Sequence, residues 1–575
     1  MTGWRACAAL AAAAWAAAAA RPAVPAQPAD LIVVGGTVVT VDPASTVAQA
    51  VAIGGGRFVA VGTTADIRKL AGPSTRVIEA RGRTVVPGFI DSHVHALGVA
   101  AAEQAQPFGN LASVAEVQGW IRQQAPSRAA GEWIWTPRVF PTRIRERRFP
   151  TREELDAAAP RHPVVVDGAY ALMVNSAALR AAGIDARTAD PPGGAIVRDA
   201  QGRPTGLLRN VGDLLARFRR RGDNAPPSLD ALEQVHRAYL RAGITSIGER
   251  GASLAGYRMY EALRRAGRLS VRATVTIRIP DPADAAATAA FVRDLPLEPR
   301  GGDAWLKAGP LKIVADGGLL AGTSYMREPY GPAARQLYGV DDPAYRGLLT
   351  LTREQIAAAV LAGASRGWQM AAHVTGDAGV DAVLDAFEAA QARHPSGGAR
   401  HTLIHAYFAH PDLARRAARL GVLVDTQPAW YYKDADALSA ALGEPRLESF
   451  IGLRTWLHAG VSAAINTDHM FGVDPDTAMN PFNPLLTIAT AVTRRTEGGR
   501  VIGADQRISR LEALRLMTLG AARLSFDEDH TGSIEVGKLG DLAILSGDLL
   551  GCPDQRIREL TAEVTIVGGR VVHQR

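Results

Sequence analysis

The amino-acid sequence predicts an α/β protein: a (β/α)8 TIM barrel with a small β-sandwich domain built from both chain ends and an insertion after barrel strand 1. Three observations predict it. Eight short apolar runs alternate with helix-like segments through the middle of the 575 residues. Both ends read instead as β-branched runs parted by glycine, and the gap between the first and second apolar runs is far too long for one connecting helix. Length agrees, because single cores rarely grow beyond about 250–300 residues, so a large body with a smaller satellite is expected.

Taken in chain order, residues 1–26 read as a secretory signal peptide. Arg5 supplies a short positive region, Ala6 to Ala20 an apolar stretch, and "AVPAQ" a cleavage site after Ala26. The apolar stretch is shorter than the roughly 20 residues a membrane helix needs, and no second span follows, so no stable membrane span is expected once the signal is removed. The protein is expected to be exported, periplasmic or secreted, if that signal operates, and cytoplasmic otherwise.

Residues 30–86 hold "LIVVGGTVVTVD", "AVAIGGGRFVAVG" and "TRVIEARGRTVV", short runs with Gly-rich turns that predict a small antiparallel sheet. Residues 530–575 repeat that texture in "TGSIEVGKLGDLAILSG" and "AEVTIVGGRVVH", so the two ends are expected to form one β-sandwich domain. Between them, residues 87–525 carry the eight strand candidates of the barrel: "VVPGFIDSHVH", "GITSIG", "VRATVTIRI", "LKIVAD", "WQMAAHV", "HTLIHA", "GVLVDTQP" and "VSAAINTD". The insertion, about residues 105–230, contains "GGAIVRDAQGRPTG", which has the look of a hairpin. Long barrel-loop insertions often cover an active site. Trp133, Trp135 and Tyr170 within it either line a pocket or pack the insertion's own core.

Composition narrows the function classes. At 47% hydrophobic and 21% charged residues the chain is not of the disordered type. The net charge of +7 comes from scattered arginines, densest in "RIRERR" (143–148) and "RFRRRGD" (217–223), which read as solvated faces rather than nucleic-acid patches. Cys7 and Cys552 lack any partner at metal spacing, so a metal site must use His, carboxylate or Lys.

Side chains two apart on a strand project from the same side, so His93 and His95 are placed to grip one metal ion together at the end of the first barrel strand. His373 closes the fifth apolar run, His405 the sixth and Asp468 the eighth. Four strand ends converging on one barrel mouth give the geometry of a metal centre. Asp91, two residues before His93, reads as support for the site rather than as a ligand. His162, His236, His394, His458, His530 and His573 read as surface or capping histidines.

"PGFIDSHVH", the later histidines and Asp468 resemble the amidohydrolase superfamily, and more narrowly its YtcJ-like branch, which contains N-substituted formamide deformylases. "FPTREELDAAAPRHPVVV", "VNSAALRAAGI", "LKIVADG", "HVTGDAGVDAVLDAFE", "DTQP" and "GSIEVGKLGDLAIL" resemble segments of that branch in order, over nearly the whole chain after the signal segment. The resemblance implies a Zn2+ site of one or two ions held by His93, His95, Lys312, His373, His405 and Asp468, with Lys312 carboxylated to bridge two metals. It implies a metal-activated water, with Asp468 shuttling its proton to the leaving nitrogen. The expected reaction is hydrolysis of a non-peptide carbon–nitrogen bond in a small molecule, an amide or N-substituted formamide. The alternatives are a single-metal deaminase of an amino-substituted heterocycle and an inactive secreted binding protein that kept the barrel. "NTDHMFG", with His469 beside Asp468, and "ADGGLLAGTSYM" depart from the branch where a substrate would sit. The partner expected is a small-molecule substrate, without nucleic acid, and a homo-oligomer is left open.

Overall fold

The computed structural model describes residues 28–106, 108–218, 226–280, 282–395 and 398–575. The expected signal peptide (residues 1–26, with Cys7), and most of the 217–223 arginine run, lie outside the described residues.

Eight parallel strands form the barrel: β1 (Phe89–Val94), β2 (Ile244–Ala252), β3 (Arg272–Arg278), β4 (Leu306–Val314), β5 (Met370–Val374), β6 (Thr402–His405), β7 (Leu423–Thr426) and β8 (Ala463–Ile465). They pair in chain order, each with the next. Barrel strands face side chains on the inside and helices on the outside, so both faces need apolar residues. Accordingly every residue of β1, β5, β6, β7 and β8 is buried.

The seam between β8 and β1 is closed differently from the other joints. One backbone bridge joins Val94 to His469, with His95 N donating to His469 O at 2.8 Å. Beneath it, Asp91 accepts from Thr467 N at 3.1 Å and from Thr467 Oγ1 at 2.5 Å. Asp91 also accepts from His93 N at 3.4 Å. A side chain thus replaces the missing ladder.

Helices fill the outside, and their starts are legible locally. Ser228 caps Leu229–Arg241, Ser253 caps Leu254–Arg265, and Thr352 forms a capping box with Gln355 before Arg353–Ala364. His236 is fully buried on Leu229–Arg241, against the Tyr260 ring, and His162 is buried beside Glu132 O. Both differ from the expected surface role: the helix face carrying His236 turns inward, and the bend carrying His162 is packed against Glu132 and Asn175.

Two sheets hold the chain ends. A six-stranded sheet joins Val47–Ala48, Thr37–Val39 and Thr84–Pro87 side by side to Leu542–Leu545, Ala562–Val567 and Arg570–Gln574, the two halves meeting between Thr84–Pro87 and Leu542–Leu545. A four-stranded sheet comes from the N-terminal part alone. The expected antiparallel pattern holds only in part, since Ala29–Val34 pairs parallel with Ala71–Glu79, and Thr37–Val39 parallel with Thr84–Pro87. The hairpin of Ala50–Gly54 and Arg57–Gly62 lies between those partners in sequence, so the chain crosses over before pairing.

Arg272, at the start of β3, joins barrel to sheet. Its guanidinium donates to both oxygens of Asp541, at 2.6 and 2.9 Å, and both side chains are buried. Asp541 also accepts from Gly568 N at 2.7 Å. Removing one member of a buried pair leaves the other charge uncompensated. Arg272→Met is therefore expected to cost about 3–5 kcal/mol, read as a lower urea midpoint, while a double replacement by apolar residues recovers much of it. An unshifted midpoint for the single variant would refute this.

The insertion forms its own five-stranded sheet, in the order Ala195–Arg198, Pro204–Arg209, Ala171–Val174, Val164–Asp167, Ile134–Trp135. The first two are the expected hairpin. Loops from this sheet bring Arg138, Tyr170 and Asn210 over the C-terminal end of the barrel.

Candidate metal centre

A cavity of about 740 Å³ opens where the barrel strands end. All six residues expected to bind metal line it: His93 and His95 around the end of β1, Lys312 on β4, His373 on β5, His405 on β6 and Asp468 after β8. They converge because strands in a parallel barrel point their C-terminal ends the same way.

Three of the six form a tight triangle. His93 Nε2 and His95 Nε2 are 3.4 Å apart, and each lies 3.3 Å from Asp468 Oδ1. A tetrahedral ion with bonds of about 2.0–2.1 Å needs donor atoms about 3.4 Å apart, so the triangle matches a metal's own size. Asp468 Oδ1 is buried and receives no hydrogen bond. An acceptor left bare costs free energy unless a cation meets it, which also fits a metal. Burial, then the charge of Lys312, holds His93 well below the ordinary histidine pKa, so its ring is neutral and can offer a lone pair.

His373 and His405 reach the same cavity but stand outside that triangle, with ring centroids 4.5 Å apart. Their hydrogen bonds fix which nitrogen is free. His373 Nε2 lies 3.0 Å from Gly317 O, a carbonyl that can only accept, so Nε2 donates and Nδ1 keeps the lone pair. His405 Nδ1 lies 2.7 Å from Gln427 Oε1, and that amide is oriented by its own NH2 group donating to Asp425 O at 3.1 Å. Nδ1 therefore donates and His405 Nε2 keeps the lone pair. Burial first, and Lys312 among the further causes, lowers both rings' pKa values, His373 to about 3.

Lys312 packs against Gly251, where an added Cβ would lie 3.6 Å from the lysine Cδ. Burial pushes its pKa down to about 8 against the pull of Asp468, with Arg250 and Arg278 lowering it further. Arg250, also on the cavity wall, is held by Asp425 at 2.7 Å, Ser92 O at 2.8 Å and Thr276 Oγ1 at 3.2 Å.

Two of the strand-end residues sit in the left-handed region, His405 at φ +77° and Asp468 at φ +50°. Non-glycine residues pay for that conformation, and the surroundings must hold it. Asp468 N donates to Asn466 Oδ1 at 3.2 Å, and Asn480 Nδ2 donates to Asp468 O at 2.8 Å.

Several residues beyond those six support the site; of the three aromatic residues left open in the insertion, Tyr170 lines the cavity while Trp133 and Trp135 pack the insertion's own core. Trp430, at the start of helix Pro428–Leu442, donates its indole N–H to Asp468 Oδ2 at 3.0 Å, which leaves Oδ1 to face the histidines. Arg143 lies 5.0 Å over the Trp430 ring and pairs with Asp434 at 2.7 Å. It belongs to the arginine run expected to be solvated, yet it is largely buried because the insertion folds it onto this helix. Glu249, on β2, accepts from Leu97 N at 3.1 Å and caps the helix Ala96–Ala105 that follows His95. Tyr170, from the insertion, places its hydroxyl 3.3 Å from His373 Nδ1. His469 turns its ring away from the triangle. Its Nδ1 accepts from Tyr239 OH at 2.8 Å and its Nε2 donates to Gly472 O at 2.6 Å, so it anchors the loop after Asp468.

A model of the amidohydrolase family matches residues 76–573 of this chain. The chain is 30% identical over 560 residues to the N-substituted formamide deformylase of Arthrobacter pascens, covering 95% of this chain and 98% of that protein. It is 28% identical over 528 residues to YtcJ of Bacillus subtilis (strain 168), covering 88% of this chain and 92% of that protein. Among solved structures, an uncharacterized metal-dependent hydrolase from Pyrococcus horikoshii OT3 shares the fold with a TM-score of 0.64 at 21% identity, over 91% of this chain and 99% of that one.

Proposed function

Because the chain belongs to the amidohydrolase family, and is thereby a hydrolase of carbon–nitrogen bonds other than peptide bonds, we propose that it cleaves N-substituted formamides or closely related amides with the help of zinc. The observation that carries the metal half of this reading is the triangle of His93, His95 and Asp468 at the cavity floor. The substrate half is supported by the 30% identity to a formamide deformylase along almost the full length of both chains.

His93, His95 and Asp468 would hold one ion, and His373 Nδ1 and His405 Nε2 would be the donors for a second. Lys312 would join the two sites as a carbamate: its neutral amine adds to carbon dioxide, an N–C bond forms, one proton leaves, and an anionic oxygen donor results. Bound zinc supplies a nucleophilic water near neutral pH and a Lewis acid for the substrate carbonyl.

The chain's own residues do the rest. Asp468 takes a proton from the attacking water and delivers it to the amide nitrogen as the C–O bond forms and the C–N bond breaks. Trp430 donates to Oδ2 and so fixes the orientation of the carboxylate that takes part in this exchange. The Tyr170 hydroxyl, whose pKa burial raises, stays protonated, and it would be released from His373 Nδ1 if that nitrogen served as a ligand. It is then a donor for the carbonyl oxygen as negative charge builds there. Formate and an amine are the products.

The alanine-rich leader segment supports export of this hydrolase. Among the described residues no helix is long and apolar enough to cross a membrane.

Formate release from N-alkyl and N-benzyl formamides by the zinc-loaded protein is the expected result, measured beside ammonia release from aminopurines and aminotriazines. Ammonia without formate would transfer the protein to the deaminase reading. Turnover of neither class by protein shown to hold zinc would overturn the formamide assignment.

A further inference from the structure

The cavity wall is strongly unbalanced in charge. Arg138, Arg250, Arg278 and Lys312 line it, and among the described residues Asp468 is the only carboxylate that does. Two of the four cations have partners elsewhere: Arg250 pairs with Asp425 at 2.7 Å and Arg138 with Asp167 at 3.2 Å. Lys312 belongs to the proposed metal centre. Arg278 remains. It is the last residue of β3, its Cα pairs with that of Lys312 across the β3–β4 ladder, and it is exposed to the cavity. No described residue gives its guanidinium a hydrogen bond or ion pair. Its charge reaches Lys312, His373 and Tyr170, so it stands beside the proposed reaction centre rather than at a distant rim.

A guanidinium is a planar fork of donors matched to a carboxylate, and in a walled cavity its field is screened less than at an open surface. Phe140, Tyr407, Trp430, Met470 and Phe471 supply the apolar part of the same cavity. In a formamide the acyl side is only a hydrogen, so all recognition must fall on the N-substituent. We propose that this N-substituent carries a carboxylate that pairs with Arg278 and an aromatic or large apolar group that packs on that wall. The substrate class is then N-formyl derivatives of apolar amino carboxylic acids. This rests on the formamide reading for the bond cleaved, but the carboxylate site itself does not. The reaction balances as R–NH–CHO plus water giving formate and R–NH3+, the carboxylate of R unchanged.

The test uses zinc-loaded wild type, Arg278→Met and Arg278→Lys, with N-formylphenylalanine and its methyl ester as paired substrates. Wild type is expected to favour the acid by about 10–100-fold in kcat/KM, the range of one charge-assisted bidentate contact. Arg278→Met is expected to bring the acid-to-ester ratio close to one, and Arg278→Lys to restore part of it. A second readout needs no turnover: calorimetric titration of 3-phenylpropionate and of its neutral amide into the same proteins, with affinity for the acid falling at least tenfold in Arg278→Met. If no formamide is cleaved but that affinity falls, the formamide reading fails and the carboxylate site stands. If formamides are cleaved without preference for the acid, or Arg278→Met leaves both the ratio and the affinity unchanged, the proposal is overturned.

Discussion

Asp468→Asn is expected to lower kcat by about 10²–10⁴-fold, the span of one lost general acid–base group. Asparagine keeps the shape and can still accept the Trp430 indole proton, but it cannot take a proton from water or pass one on. One further consequence separates this from simple misfolding. Trp430→Phe removes only the donor that orients the carboxylate and is expected to cost a smaller factor, about 10–100-fold, as outer partners of metal-site groups typically do. Steady-state kinetics on protein of measured zinc content decides the matter. An Asp468→Asn enzyme within tenfold of wild type at full zinc loading would remove Asp468 from the proton path.

The second large effect is on stoichiometry. Zinc-loaded wild type is expected to contain close to two ions per chain by elemental analysis, and Lys312→Ala to fall to one or none. Among the described residues none forms an ion pair with the buried Lys312 ammonium, so its loss does not strip the fold of one. Lys312→Glu supplies a carboxylate without carbon dioxide and is expected to retain more metal than the alanine variant. One ion per chain in wild type, unchanged by Lys312→Ala, would reduce Lys312 to a cavity lysine and favour single-metal chemistry.

Much of this architecture was legible in the sequence for one physical reason. Barrel strands are buried on both faces, so β5, β6 and β7 carry short apolar stretches such as Met370–Ala372, Leu403–Ile404 and Leu423–Val424, and a polar residue such as His373 or His405 directly after one stands out. Pairing direction has no comparable local mark. The parallel pairing of Ala29–Val34 with Ala71–Glu79 depends on where a distant hairpin is inserted, and the short runs look alike either way. The groups that orient the site were hidden for the same cause. Trp430 meets Asp468 from 38 residues away and Glu249 meets Leu97 from 152. Arg143 sits in a run whose composition says solvent, and only the docking of the insertion on helix Pro428–Leu442 shows that this one arginine faces inward.

The joint between β1 and β8 is where the triangle of His93, His95 and Asp468 is assembled. His93 and His95 stand on one side of it and Asp468 on the other, and Asp91 reaches Thr467 across 376 residues of chain. A cation held by those three atoms would act as a clasp on the barrel, because parting the two strands parts its donors. Loss of metal and opening of the joint are then a single event. Zinc should protect the amides of His95 and Thr467 from hydrogen exchange more than those of β4 or β5, and the half-made chain has no site to fill until its last barrel strand is in place.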